Sequence, residues 1–215
     1  MEQQKIYFDN QKDFLNSSLS QHINIEIYLR SNIIGIKGFL DLASTLSKFS
    51  NLTKLGLMLG QTFKFEPFDS SSLFSAIASC VNLSSLALEF GYNNIGKIGF
   101  LDLASALSKF SNLTKLGLML GSTQIDSTGI SALASVLPSL ERLQIFQIKI
   151  DSNQIGYDGY FYFLSGLSLC TKLTTLSTEI QLCIDLIQEE KNNVKRIFKK
   201  KCKKIKRLVS QFTYL

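Results

Sequence analysis

The sequence predicts an α/β fold of stacked units, each made of a strand, a turn and a helix, and three observations carry that prediction. Residues 38–60 (GFLDLASTLSKFSNLTKLGLMLG) and 99–121 (GFLDLASALSKFSNLTKLGLMLG) agree at 22 of 23 positions, the mark of an internal duplication. A leading apolar residue recurs at Leu52, Leu83, Leu113, Leu143, Leu173 and Ile205, which sets a unit of about 30 residues. Within each unit the apolar spacing switches from a period of two to a helical period.

The strands come first in each unit. Apolar residues alternate at Leu55, Leu57 and Leu59, at Leu86, Leu88 and Phe90, at Leu116, Leu118 and Leu120, and at Phe146, Ile148 and Ile150. A divergent first unit fits the frame with Ile25, Ile27 and Leu29. The last two fit it loosely, with Leu176, Thr178 and Ile180 and then Leu208, Ser210 and Phe212, as terminal units of an array do. Seven strands are expected. A turn follows, marked by Asn32, Thr62, Asn93, Thr123, Asn153 or Cys183, then by Ile34, Ile95, Ile125 or Ile155, and then by Gly38, Gly99, Gly129 or Gly159. From that glycine the spacing is helical: Leu42, Leu46 and Phe49; Leu103, Leu107 and Phe110; Leu133, Leu137 and Leu140.

This pattern resembles the leucine-rich repeat family, specifically its ribonuclease-inhibitor-like subtype, whose unit reads L-x-L-x-x-N-x-L-x-x-x-G before a helix. Leu88 to Gly99 (LEFGYNNIGKIG) and Ile148 to Gly159 (IKIDSNQIGYDG) carry it. The likeness covers roughly residues 20–215. It departs in unit length and in the second unit, where Thr62 is followed by FKFEPFDSSS. The resemblance implies a solenoid bent into a horseshoe arc, with parallel strands on the concave face and helices on the convex face. Strands about 4.8 Å apart against helices needing about 10 Å each would produce that bend. The recurrent Asn is expected to be buried and to satisfy backbone groups of neighbouring turns. Residues 1–20 are read as an N-terminal cap, 21–190 as repeats, and 191–215 as a basic helix and final strand closing the array.

Composition narrows the chemistry. At 45% hydrophobic and 19% charged, with 13 Gly and 2 Pro in 215 residues, the chain has material for a substantial core. It has one histidine, His22, and no tryptophan, so Ser-His-Asp, Cys-His and multi-histidine metal mechanisms lack parts. No signal-peptide core and no membrane-spanning stretch is evident, and a cytoplasmic protein is expected. Gly91 to Lys97 matches the phosphate-cradling G-x-x-x-x-G-K loop, but Ile98 stands where a hydroxyl should hold magnesium, and the repeat accounts for the segment. Cys80, Cys170 and Cys202 share an apolar repeat slot and Cys183 the Asn slot, so the cysteines are expected to be core thiols. Asn16, Asn51, Asn82 and Asn112 open N-x-[ST] sequons, and three of these fall in one repeat slot just before a strand, which favours a structural reading. No catalytic residue, metal, cofactor or small-molecule substrate is expected.

Two surfaces are candidates for binding. Positions alternating with the buried strand residues face the concave side, and there the candidate contacts with a partner protein are Glu26, Tyr28, Arg30, Met58, Glu89, Met119, Lys149, Asp151 and Glu179, with Gly56, Gly60, Gly117 and Gly121 smoothing the centre. The second surface is the tail. Residues 191–207 hold ten Lys or Arg and no acid, leaving thirteen basic against seventeen acidic residues in the rest, a body of net charge −4. Val194, Phe198 and Cys202 make an apolar stripe at helical spacing, and Lys191, Lys195, Lys199, Lys200 and Lys203 are expected to point away from it, either as a solvated cap or as a site for an acidic protein, phosphate or anionic membrane surface. Phe63, Phe65 and Phe68 crowd the second turn, one for the isoleucine slot and two for local packing or contact.

Overall fold

The computed structural model describes residues 5–17, 23–32, 34–49, 51–62, 70–182, 187–203 and 207–214. Cys183, Ile205, His22 and the Phe63, Phe65 and Phe68 group lie outside them.

Strands and helices alternate along the chain: β1 (Ile6–Phe8), α1 (Gln11–Asn16), β2 (Asn24–Tyr28), α2 (Gly35–Leu46), β3 (Lys54–Met58), α3 (Ser70–Ser79), β4 (Ser85–Glu89), α4 (Gly96–Leu107), β5 (Lys115–Met119), α5 (Ser127–Val136), β6 (Ile145–Lys149), α6 (Tyr157–Ser168), β7 (Thr175–Leu182), α7 (Gln188–Lys201) and β8 (Arg207–Tyr214). The strands form one open parallel sheet in chain order. The seven expected strands are β2 to β8, and the sheet has one more. Strand β1, three residues long, pairs Ile6 with Ile25 and Phe8 with Ile27, and is too short to show a period of two on its own. Each helix packs against the next, so the chain alternates a strand layer with a single helix layer, an arrangement compatible with a stacked repeat.

Register fixes the core. Leu55, Leu86, Leu116, Phe146 and Leu176 stand in one row across the sheet, and Leu57, Leu88, Leu118, Ile148 and Thr178 in the next. All are buried under the helices, whose Leu42, Leu46, Phe74, Leu103, Leu107, Leu133, Phe163 and Leu167 close over them. Thr178 is the polar exception, with an Oγ1 that has no hydrogen-bond partner among the described residues, where the sixth unit loosens the pattern.

Two polar ladders tie each unit to the one before it. At the strand entrance the hydroxyls of Thr53, Ser84, Thr114 and Thr174 donate to the carbonyl oxygens of Ile23, Thr53, Ser84 and Gln144, at 2.9 to 3.1 Å. Three of these hydroxyls are the third residues of the Asn51, Asn82 and Asn112 sequons, which gives that motif its structural role. At the strand exit, buried Asn93 donates through Nδ2 to Leu59 O (2.7 Å) and Phe90 O (2.9 Å). Asn153 donates to Leu120 O (2.7 Å) and accepts at Oδ1 from the amides of Thr123 (3.0 Å) and Ile125 (3.1 Å). Thr62 keeps part of the pattern, donating to Leu29 O at 3.1 Å. Asn32 departs from it: it is exposed, because β1 runs almost directly into α1 and offers no full turn for it to bridge.

The recurrent glycines mark helix packing rather than helix starts. Helices α2 and α4 begin at Gly35 and Gly96, ahead of Gly38 and Gly99. A Cβ on Gly159 would stand 2.9 Å from Ile130 Cγ2 and 3.0 Å from Ser127 Cα, so the slot is small because the neighbouring helix passes over it. Gly166 is tighter still, with Ala134 O 2.2 Å from its ideal Cβ position.

Replacing Gly166 with Ala forces α5 and α6 apart against a backbone atom that cannot rotate away, and should destabilise the fold by about 1–3 kcal/mol in urea unfolding. Leu118→Ala should cost about 2–5 kcal/mol by lost burial and a residual cavity, and a melting temperature equal to wild type would refute the assigned frame.

Candidate functional site

One face of the sheet lies under the helices, and the strand residues between the buried rows face the other way. Three rows occupy that open face within the strands: Asn24, Lys54, Ser85, Lys115, Ile145 and Thr175 at the strand entrance, then Tyr7, Glu26, Gly56, Ala87, Gly117, Gln147 and Ser177, and then Tyr28, Met58, Glu89, Met119, Lys149 and Glu179. Beyond the strand ends come Arg30, Gly60, Gly91, Gly121 and Asp151, followed by Ser31, Gln61, Tyr92, Ser122 and Ser152, all five with φ between 53° and 62°. That left-handed backbone is uncommon for residues with a side chain. Interstrand bonds hold it: Ser31, Gln61, Tyr92 and Ser122 donate their amides to Gly60 O, Gly91 O, Gly121 O and Asp151 O at 2.9 to 3.0 Å.

A pocket of about 310 Å³ opens at this end of the sheet. It brings together five of the residues expected from the sequence: Arg30, Glu89, Met119, Lys149 and Asp151. Gly60, Gly91 and Gly121 contribute to its lining between the charged groups. Ser31, Gln61 and Tyr92 also line it, and sequence reasoning missed them. Their signal was available as the slot directly after the Arg30, Gly60 and Gly91 positions, but alternation alone does not assign a face to a residue past the strand end. Glu26, Tyr28, Met58 and Glu179 are not part of the pocket lining. The methionines are half-buried in the row, not fully solvent-facing.

Most charges on the face are held by other charges of the same chain. Glu26 pairs with Lys5 and accepts the Tyr28 hydroxyl at 2.5 Å, which pushes the Tyr28 phenol above its ordinary pKa. Tyr28 also stacks on Tyr7 with ring centres 5.9 Å apart. Arg30 pairs with Glu89 across Gly60, and Glu89 Oε1 sits 3.0 Å from where a Gly60 Cβ would be. Lys149 pairs with Glu179 at 2.9 Å and stands 3.9 Å from Asp151, and the Glu179 hydrogen bond holds its ammonium above the usual lysine range. Asp151 Oδ1 is buried and has no hydrogen-bond donor among the described residues. The acids therefore do not stand free for a partner as alternation alone suggests: Gly56, Gly60 and Gly121 leave room for the carboxylates of adjoining strands to lean over them.

At the other candidate surface, α7 buries Val194 and Phe198, with Cys202 just past its end, so the helical stripe stands as expected. Lys199, Lys200 and Lys203 are exposed, whereas Lys191 and Lys195, expected to point away from the stripe, are half-buried. Glu189 and Glu190 sit in the first turn, so the helix as formed is less basic at its start than the run 191–207. Lys201 bonds Ser165 Oγ at 2.9 Å and lies over the Phe161 ring, tying α7 to α6. In the Gly91 to Lys97 segment, Gly96 adopts φ 61° and donates its amide to Thr123 O, so the turn serves the neighbouring unit.

No protein-family model matches the chain, and no curated protein matches it in sequence. Among solved structures, it is similar to one titled Leiomodin-1 Actin-Binding Site 2 (ABS2), with a TM-score of 0.54 and 13% identity over 79% of this chain and 91% of that one. The likeness is one of fold. Among the described residues no helix is long and apolar enough to cross a membrane.

The described cysteines are sealed in packing. Cys80 and Cys202 are buried, Cys170 is half-buried, and burial pushes each thiol up to about 11. A thiol raised from 9.0 to about 11 keeps its proton in the folded state while the unfolded chain loses it, so its contribution to stability is present below pH 9 and lost as pH rises towards 11. Peptides bearing Cys80 and Cys202 should resist iodoacetamide at pH 7.5 in the native protein and react in urea. The fall of the urea midpoint between pH 9 and 11 should be shallower in a Cys80→Ala, Cys202→Ala variant.

Proposed function

We propose that this chain is a non-catalytic interaction module of the leucine-rich repeat kind, ribonuclease-inhibitor-like, that holds a partner protein on the concave side of its arc and works in the cytoplasm. The observation that supports this most directly is the asymmetry of the sheet: one face is closed by helices, while the other carries half-buried Met58 and Met119 among small residues and ion pairs. Methionine adapts to an apolar partner surface, and the flanking charges orient it. Eight strands span roughly 34 Å and five residues of each roughly 16 Å, near the lower bound for a specific protein interface, so a partner reaches the rim residues as well. The solved structure of similar fold is titled as an actin-binding site, which makes actin the first protein to test.

A second reading rests on α7: exposed Lys199, Lys200 and Lys203 form a basic strip suited to an acidic protein, phosphate or an anionic membrane surface, with the repeats as support. Binding there should weaken steeply with salt, since exposed charges are screened over about 8–10 Å at physiological ionic strength.

Two variants separate the readings. Met58→Lys with Met119→Lys should leave the melting curve near wild type and abolish capture of the partner, identified by mass spectrometry after affinity capture and tested directly with actin filaments by cosedimentation. Lys195→Glu, Lys199→Glu, Lys200→Glu and Lys203→Glu together should keep that capture at both low and high salt. Loss of the same partner in the lysine variant, with retention in the methionine variant, would transfer the function to α7.

A further inference from the structure

The pocket at the strand ends has a composition that selects for one kind of group. Its two cations are both engaged, Arg30 by Glu89 and Lys149 by Glu179 at 2.9 Å. Asp151 is not matched in the same way: Oδ1 has no hydrogen-bond donor among the described residues, and the Lys149 ammonium is 3.9 Å away and already committed to Glu179. Within the lining Arg30 and Lys149 balance Glu89 and Asp151 in number, but Lys149 is bonded to Glu179, which lies outside the lining, and this leaves Asp151 the weakly matched carboxylate of the pocket. An anion would have to displace an existing carboxylate from Arg30 or Lys149. A divalent metal would meet both cations at close range and lacks the set of oxygen ligands it needs. A monovalent organic cation is repelled half as strongly and needs no closed set of oxygen ligands.

The rest of the lining fits that cation to a shape. Tyr92, 60% exposed, stands beside the opening on a backbone that its amide bond to Gly121 O fixes in place. An aromatic ring in that position favours a cation over its face, and a planar guanidinium best of all because it stacks as well as pairs. Met119 and the glycines offer an apolar bed for an alkyl stem. At about 310 Å³ the space is at the small end of ligand pockets, suited to one side chain more than to a drug-sized molecule.

We propose that this pocket receives an arginine side chain of the partner protein, its guanidinium between Tyr92 and the Asp151 carboxylate and its stem against Met119. The proposal rests on the reading of the open face as a protein-binding face, and adds the anchor that such a partner must present.

The test uses the full chain and three capped amino acids, the Nα-acetyl N-methylamides of arginine, citrulline and glutamate, followed by backbone amide shifts in nuclear magnetic resonance. The arginine compound should give saturable shifts at Gly60, Gly91, Tyr92 and Gly121, with citrulline, its uncharged isostere, at least tenfold weaker and glutamate without effect. Asp151→Asn and Tyr92→Ala should each weaken arginine at least fivefold, and Lys199→Glu should leave it unchanged. Equal binding of citrulline and arginine by the wild-type chain, stronger binding of glutamate, or an unaffected Asp151→Asn variant would overturn the proposal, and the first two need no variant to fold. Arginine binding that persists while the methionine variant still captures its partner would sink the protein-face reading alone. Absence of arginine binding with intact face-dependent capture would sink only the pocket.

Discussion

Adjoining units of this chain complete one another's backbone hydrogen bonding. The turn that leaves each strand exposes carbonyls inside the stack, where an unpaired polar group costs about 1–3 kcal/mol, and the partner comes from the next unit: Asn93 reaches back to Leu59 O and Asn153 to Leu120 O. The entrance of the strand is closed in the same direction by Thr53, Ser84, Thr114 and Thr174. With both ends pinned, the register of the parallel sheet has no freedom to slip, because a one-residue shift would break both ladders and turn Leu55, Leu86 and Leu116 out of the core. Everything on the open face inherits its position from that constraint.

The glycines serve two separate ends of this arrangement. Between helices, Gly129, Gly159 and Gly166 let one helix approach the next: Gly166 meets the Ala134 backbone, and Gly159 meets both Ile130 Cγ2 and Ser127 Cα. On the open face, Gly56, Gly60 and Gly121 have side-chain neighbours: Glu26, Glu89 and Asp151 lie over them. The smoothness read from the sequence as a bare apolar strip is thus, in the folded chain, space occupied by carboxylates of adjoining strands. It is the reason that Arg30 meets a glutamate two strands away.

The fold was legible because a period of two followed by a helical period, repeated every 30 residues, admits few packings. The core rows, the strand frame and the stripe of α7 followed directly from it. Strand β1 did not, since three residues carry no periodicity, and Asn32 did not, since its exposure depends on what the preceding turn lacks. The candidate site was legible by row but not by pairing. Alternation placed Arg30, Glu89, Met119, Lys149 and Asp151 on one face, yet which acid meets which base depends on reach across strands, and no one-dimensional pattern encodes that. Tyr92 escaped for a different reason, because its place at the pocket comes from a left-handed backbone angle one residue beyond the alternating frame.

The duplicated blocks show how one surface acquires distinct parts. Their single difference, Thr45 against Ala106, is buried in both copies, so the two blocks present the same residues to the open face. Their surroundings differ instead. Gly60 lies under Glu89 and beside Arg30, while Gly121 lies under Asp151, and Gly56 under Glu26 where Gly117 meets only Ala87 and Gln147. Met58 accordingly stands between Tyr28 and Glu89, and Met119 between Glu89 and Lys149. The strips that the duplication made alike are distinguished by the units between and beside them, where the sequence is free to diverge. The ion pairs of this face therefore reside in Glu26, Arg30, Glu89, Lys149 and Glu179, with Asp151 beside them, and the repeated Gly-Leu-Met-Leu-Gly strips supply the even ground on which those side chains pair.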